Sequence, residues 1–252
     1  MNANKNNPTR IIALPHVFKG RQLRKNLQAL DVQVELTTEI DALHVLMKIS
    51  PGQKIAVAVA NQGTSNLVEV VKVLIARLRS AGAEPFIVPA ISGGDRLSAD
   101  EQRHVLQTIG ITEQAVDAPI HSTMETVLIG ETPRGIPVFI DRYAYEADGI
   151  IVINRIKFHG GFRSYYKSGL MKMITIGLGK QSSFSMCHSY GSTHISENIA
   201  EVARFILKAT NFLFGIAVIE NQYQETTHIK LVTSQELYSK ENNSKISSTY
   251  IA

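Results

Sequence analysis

Apolar positions along this chain fall into two alternating rhythms. Residues 54–60 (KIAVAVA) form a short β-rich run after the turn signal Ser50-Pro51-Gly52, which predicts a buried strand. From Asn66 the apolar residues Leu67, Val70, Val71, Val73, Leu74 and Leu78 keep helical spacing as far as Gly82, where glycine can supply a left-handed cap. Residues 85–89 (PFIVP) predict a second strand. Ser98 and Glu101 stand at the spacing of a capping box and open a second helix, which Gly110 closes. Further runs at 126–129, 138–140 and 149–154 extend the strand count, and 195–209 has the apolar period of a helix. Residues 215–220 and 228–233, separated by the polar 221–227, predict a closing hairpin or a pair of adjacent strands.

Strands alternating with helices predict an α/β fold, a mostly parallel sheet covered by helices, whose ligands bind beyond the carboxyl ends of the strands. With no internal repeat, low-complexity block or long Gly/Ser linker, one domain is expected over residues 1–238. The tail at 239–252 (SKENNSKISSTYIA) has no periodic apolar face and is expected to be loose.

Composition narrows the function classes. At 44% hydrophobic and 19% charged, the 252 residues suit an ordinary soluble globular protein. No apolar stretch reaches the roughly 18 residues of a membrane span, and the opening MNANKNNPTR lacks the apolar core of a signal peptide, so no membrane partner and a cytoplasmic location are expected. A single cysteine, Cys187, excludes an internal disulfide framework and a Cys-rich zinc site and is expected to be a spectator. The net charge of +4 comes from scattered lysines and arginines, which argues against nucleic acid as a partner.

Two segments carry candidate chemistry. The first strand ends in Asn61-Gln62-Gly63-Thr64-Ser65-Asn66 just ahead of a helix, where free backbone N–H groups and short hydroxyls suit a phosphate. The same residue types also make an ordinary N-cap turn. The second segment, 154–188, gathers Arg155, Lys157, His159, Arg163, Lys167, Lys172, Lys180 and His188 with no Asp or Glu between them, a pattern suited to an anionic ligand or to a solvated basic loop. Within it Lys172 sits in the apolar stretch LMKMITI, where burial would depress its pKa and make the amine reactive. Gly177-x-Gly179-Lys180 does not make a P-loop, because Ile174 and Gln181 occupy the positions that need Gly and Ser or Thr. A dinucleotide fingerprint fails because Ser182 replaces the third glycine.

Over residues 54–237 the chain resembles the nickel-pincer-dependent lactate racemase family, in an uncharacterised racemase-like branch. The resemblance is strongest at Glu146-Ala147-Asp148-Gly149-Ile150-Ile151-Val152-Ile153-Asn154-Arg155-Ile156-Lys157, at Ser168-Gly169-Leu170-Met171-Lys172-Met173 and at Ile176-Gly177-Leu178-Gly179-Lys180-Gln181. It implies a Rossmann-like amino-terminal domain and a nickel-pincer nucleotide cofactor, a pyridinium thioamide/thiocarboxylate mononucleotide. The implied reaction is racemisation or epimerisation of a small 2-hydroxy acid by hydride transfer. Lys172 matches the lysine that tethers the pincer, and His188, sixteen residues later, matches the nickel ligand. His159 is the counterpart of an acid/base histidine, with three extra residues between it and Lys172. Cofactor contacts fall on Gln62, Gly63, Thr64 and Ser65, and Arg155, Lys157 and Arg163 are candidates for a substrate carboxylate or cofactor phosphate. His16, His44, His104, His121, His194 and His228 stand singly without ligand spacing and are expected to be structural or solvent-facing.

The sequence departs from the family pattern where an arginine is expected after the first strand, since Gln62 stands there, and where Gly94 replaces a second histidine. The family's carboxyl-terminal domain, which closes the cleft, is expected to be absent. These departures support an alternative, a truncated or degenerate relative that binds at most an anionic nucleotide-like ligand, or no cofactor at all. A homo-oligomer, or a separate chain supplying the missing domain, would restore the first reading.

Overall fold

In the computed structural model of the protein, residues 30–59, 63–91, 97–157, 169–190, 194–221 and 223–238 are described. The Asp31 side chain accepts the Val34 amide and starts α1 (Val32–Ala42), which buries Val32, Leu36 and Ile40, one residue per turn. A 3-10 turn (Val45–Lys48) leads into β1 (Lys54–Val59), then α2 (Leu67–Ser80) and β2 (Glu84–Pro89). Gly82, at φ +85°, ends α2 as anticipated. The capping box of Ser98 and Glu101 is made in full and opens α3 (Ala99–Thr108), followed by α4 (Glu113–Val116), β3 (Thr126–Glu131), β4 (Pro137–Asp141), α5 (Arg142–Tyr145) and β5 (Gly149–Lys157).

After β5 the chain is helical where the sequence suggested only a glycine-rich basic segment. Here α6 (Leu170–Lys172), a π-helical turn (Met173–Gly177) and α7 (Leu178–Ser189) run into one another. Then come α8 (Ile195–Ala209), β6 (Phe212–Glu220), β7 (Thr226–Val232) and α9 (Ser234–Tyr238). Among the described residues no helix is long and apolar enough to cross a membrane.

Five strands form one sheet in the order β2-β1-β5-β6-β7, parallel except for β7, which pairs antiparallel with β6 as the closing hairpin. The runs at 126–129 and 138–140 do not extend this sheet. They pair with each other as the separate antiparallel hairpin β3–β4, and that hairpin lies on one face of the main sheet through Val138 and Ile140. Side chains alternate along each strand and divide the core in two. Ile55, Val57, Val59, Ile151, Ile153 and Ile216 pack with α1 and α2 on one face. Ala56, Ala58, Ile150, Val152 and Ala217 pack with α6, the π-turn, α7 and α8 on the other.

The outer strand β2 is shielded by a single bridge, in which the Ile87 amide donates to Pro119 at 2.8 Å and the His121 amide donates to Ile87 at 2.9 Å.

Candidate functional site

The chain leaves β1 toward α2 on one face of the sheet and leaves β5 toward α6 on the other, although β1 and β5 are neighbours. A doubly wound sheet opens its ligand crevice at such a switch point, outside the carboxyl ends of the two strands. Both candidate segments of the sequence meet there. Arg155, on β5, donates from Nη1 to the carbonyl of Gly63, and lies so close that a Cβ on Gly63 would come within 3.0 Å of it. Gly63 has φ +87°, a conformation that glycine adopts without strain.

A buried acid holds this turn from behind. Glu220, at the end of β6, accepts the Ser65 amide at 2.6 Å, and its second oxygen lies 3.7 Å from Arg155 Nη1. Ser65 Oγ donates to the Gln224 carbonyl, and Thr226 Oγ1 donates to the Ser65 carbonyl at 3.3 Å. The Ser65 N–H is therefore occupied within the protein. Thr64 is half-buried beside it. Lys157 is the last residue of β5. Gln62, Gly94, His159 and Arg163 lie outside the described residues.

Lys172 ends α6 and is half-buried, so the deep burial expected of it falls instead on another lysine, Lys180. His188 is exposed near the end of α7, its ring against Phe184 at 4.1 Å between centroids. Its Nδ1 lies 2.7 Å from the Phe184 carbonyl. A carbonyl only accepts, so Nδ1 carries a proton, and in the neutral imidazole the lone pair that a metal ligand requires then falls on Nε2. Among the described residues no group of three or more His, Cys, Asp or Glu is placed to hold a metal by itself.

Segment 154–188 has no acid of its own, and the fold supplies acids from distant elements, so Arg155 and Lys180 are not left unneutralised. Arg155 faces Glu220, and Lys180 faces Asp141 at 3.2 Å with both side chains fully buried. Lys180 Nζ also donates to the Pro89 carbonyl and, at 3.1 Å, to Gln102 Oε1. Burial pushes the Lys180 ammonium below its ordinary range and the Asp141 carboxyl above its own, while each opposes the other's shift. Asp141, Gln102 and Pro89 stand 39, 78 and 91 residues from Lys180 along the chain, so no local motif announces them.

The glycines beside Lys180 serve packing. A Cβ on Gly177 would lie 2.7 Å from the Ala90 carbonyl, and one on Gly179 would lie 2.8 Å from the Phe139 carbonyl. Cys187 is buried and its thiol is pushed up to about 11 by that burial, in keeping with a spectator. His194 is exposed and pairs with Glu197 at 3.1 Å. His44 and His104 are exposed, and His228 is half-buried in β7. His16 lies outside the described residues. His121 stacks on Phe86 at 4.7 Å and borders a cleft of about 430 Å³ with Lys54, Glu84, Tyr143 and Glu146. That cleft sits at the amino ends of the strands, opposite the switch point, and gathers none of the predicted site residues.

Comparison with known proteins bears on the family and the fold. No curated protein aligns with the chain at a significant level. Among solved structures, the lactate racemase apoprotein from Thermoanaerobacterium thermosaccharolyticum superposes with a TM-score of 0.60 at 13% identity, covering 87% of this chain. The chain spans 56% of that relative's length. The family profile of the lactate racemase N-terminal domain matches residues 17–200. That match covers well over half of the sequence, and the chain therefore belongs to the lactate racemase N-terminal domain family.

Proposed function

We propose that this domain carries the cofactor half of a racemase or epimerase acting on a small 2-hydroxy acid. Lys172 is the covalent tether of a nickel-pincer nucleotide and His188 a ligand of its nickel. The observation that carries the reading is the Nδ1 hydrogen bond of His188 to Phe184, which leaves an exposed imidazole with its basic Nε2 available on the segment that also holds Lys172. When bound, the pincer supplies the hydride acceptor for the substrate's C–H bond.

The chain's own groups supply the rest. Arg155, beside Gly63 at the switch point, orients a carboxylate or a phosphate, and Lys157 and Arg163 are further candidates for that anion. Gly63, Thr64 and Ser65 of the β1–α2 turn, together with Gln62, are the candidate contacts of the cofactor. The Thr64 hydroxyl is the turn's polar contribution, because the Ser65 amide is held by Glu220. His159 moves the proton of the substrate hydroxyl, a task that needs an imidazole exchanging near neutral pH.

The test is intact mass and nickel content of the chain co-produced with pincer-synthesis enzymes, beside Lys172→Ala and His188→Ala. An adduct lost in the lysine variant, with nickel lost in the histidine variant, is the expected result. No adduct and no nickel on the native chain would overturn it and favour a relative that binds an anion without turnover, the reading to which Gln62 and Gly94 point.

A further inference from the structure

Lys172 and His188 lie at opposite ends of one helical run, from Leu170 to Ser189, sixteen residues apart. An unbroken α-helix advances about 24 Å over that interval at roughly 1.5 Å per residue. Side chains so separated do not reach one small ligand. The segment must turn between them for both to touch the same molecule.

Within α7 one residue leaves helical geometry. Lys180 has φ 52° and ψ −149°, a region of backbone space occupied almost only by glycine. It stands eight residues from Lys172 and eight from His188, at the midpoint of the run.

The side chain of Lys180 explains why a lysine is held there. Nζ is fixed by the Pro89 carbonyl at the end of β2, by Gln102 of α3 at 3.1 Å and by Asp141 at the end of β4 at 3.2 Å. Asp141 is fixed in turn, since its other oxygen accepts the Ala144 amide at 3.1 Å. The Gln102 amide group lies 2.9 Å from Met124 Sδ. The corner is thus bolted to three elements of the frame, and the flanking Gly179 allows Phe139 to approach it.

We propose that Lys180 is a positioning residue, the corner that folds the Lys172–His188 segment back so that both side chains face one metal-bearing ligand. The proposal rests on the reading of Lys172 and His188 given above. It assigns the task of setting their separation to the backbone corner at residue 180, a conformation that a lysine holds only while Asp141, Gln102 and Pro89 fix its ammonium and that a glycine adopts unaided.

The geometry can be tested without the cofactor. Lys172→His places a second imidazole opposite His188, and Ni²⁺ alone is titrated calorimetrically against the whole chain. Two imidazoles chelate one ion only when the fold brings them within reach. The expected result is at least tenfold tighter Ni²⁺ binding than by the native chain, with the gain removed by adding His188→Ala. Equal affinity of the native chain and Lys172→His would overturn the proposal.

In the Lys172→His, Asp141→Asn background, Lys180→Gly keeps the corner conformation and should retain the nickel gain, whereas Lys180→Met should lose it. Thermal melts of the same proteins monitor folding. If the gain survives in both variants, the corner does not need its backbone geometry and the proposal falls. The two readings fail separately. An adduct on Lys172 with no chelation by the engineered pair would sink the corner alone, and chelation without any adduct would sink the cofactor reading alone.

Discussion

The ammonium of Lys180 lies 3.2 Å from a carboxylate oxygen of Asp141, and both side chains are wholly shut off from water. Taking two charges into an apolar interior is costly, and removing only one of them strands the other. Asp141→Asn preserves an N-cap acceptor for α5 while deleting the charge, so it isolates the pair. It should cost about 3–5 kcal/mol in urea denaturation, and Lys180→Met a similar amount. The double variant should be more stable than the sum of the two losses implies, by about 1–3 kcal/mol. Strict additivity would show that the contact contributes nothing as a pair.

The Gly177-x-Gly179 motif predicts a loss of stability rather than of nucleotide binding. Gly177→Ala pushes a methyl against the Ala90 carbonyl and Gly179→Ala pushes one against Phe139 and Ser183. Backbone cannot yield as a flexible side chain does, and each variant should lose about 1–3 kcal/mol. Equilibrium unfolding of the two alanine variants beside the native chain checks this, with unchanged midpoints as the contrary result.

Glu220 should act as the latch of the β1–α2 turn. Glu220→Ala removes the acceptor of the partly buried Ser65 amide, a loss of about 1 kcal/mol. Hydrogen exchange at Ser65 should accelerate in this variant, while Glu220→Gln, which keeps an oxygen acceptor, should remain close to native. Identical exchange in all three proteins would show that the turn is held by other contacts.

Cys187 gives a pH dependence of known sign. Its folded pKa is raised from 9.0 to about 11, so the folded state holds its proton longer than the unfolded state does. The contribution is fully present below pH 9.0 and is lost as pH rises toward about 11. Cys187→Ser should flatten the fall in stability over that window by an amount on the order of 2 kcal/mol. Denaturation midpoints at a series of alkaline pH values read the difference.

How far these features could be read in advance depended on how local their causes are. Helix α3 was legible because its start is set by Ser98 and Glu101, three residues apart, and α2 because its apolar period ends at a glycine able to take positive φ. The parallel sheet followed from the alternation of elements. The placement of β3 and β4 did not, because an apolar run does not say which partner it will find. Helix α1 carried a signal in Asp31 and the four-residue spacing of Val32, Leu36 and Ile40, and it fell outside the alternating pattern that guided the reading.

The site divides along the same line. The meeting of Gly63 with Arg155 follows from strand order, which the alternation anticipates in outline. The apolar neighbours of Lys172 predict a buried lysine there, yet burial is decided by which way a helix faces. Lys180, eight residues on, is the one turned inward. Its acid and amide partners come from β4 and α3, and no spacing rule links them.

The outer edge of the sheet bears on how copies of this chain meet. Along β2 the amides of even-numbered residues turn inward, as the Ala90 amide does to Val59, so Pro85, Ile87 and Pro89 face outward. Two of these are prolines and have no N–H, and the third has both its backbone groups engaged by Pro119 and His121. A second molecule arriving at this margin finds no donor with which to begin a ladder, so the sheet cannot lengthen from copy to copy through β2. Strand pairing through β2 is thereby discouraged as a way for copies of the protein to assemble across this side.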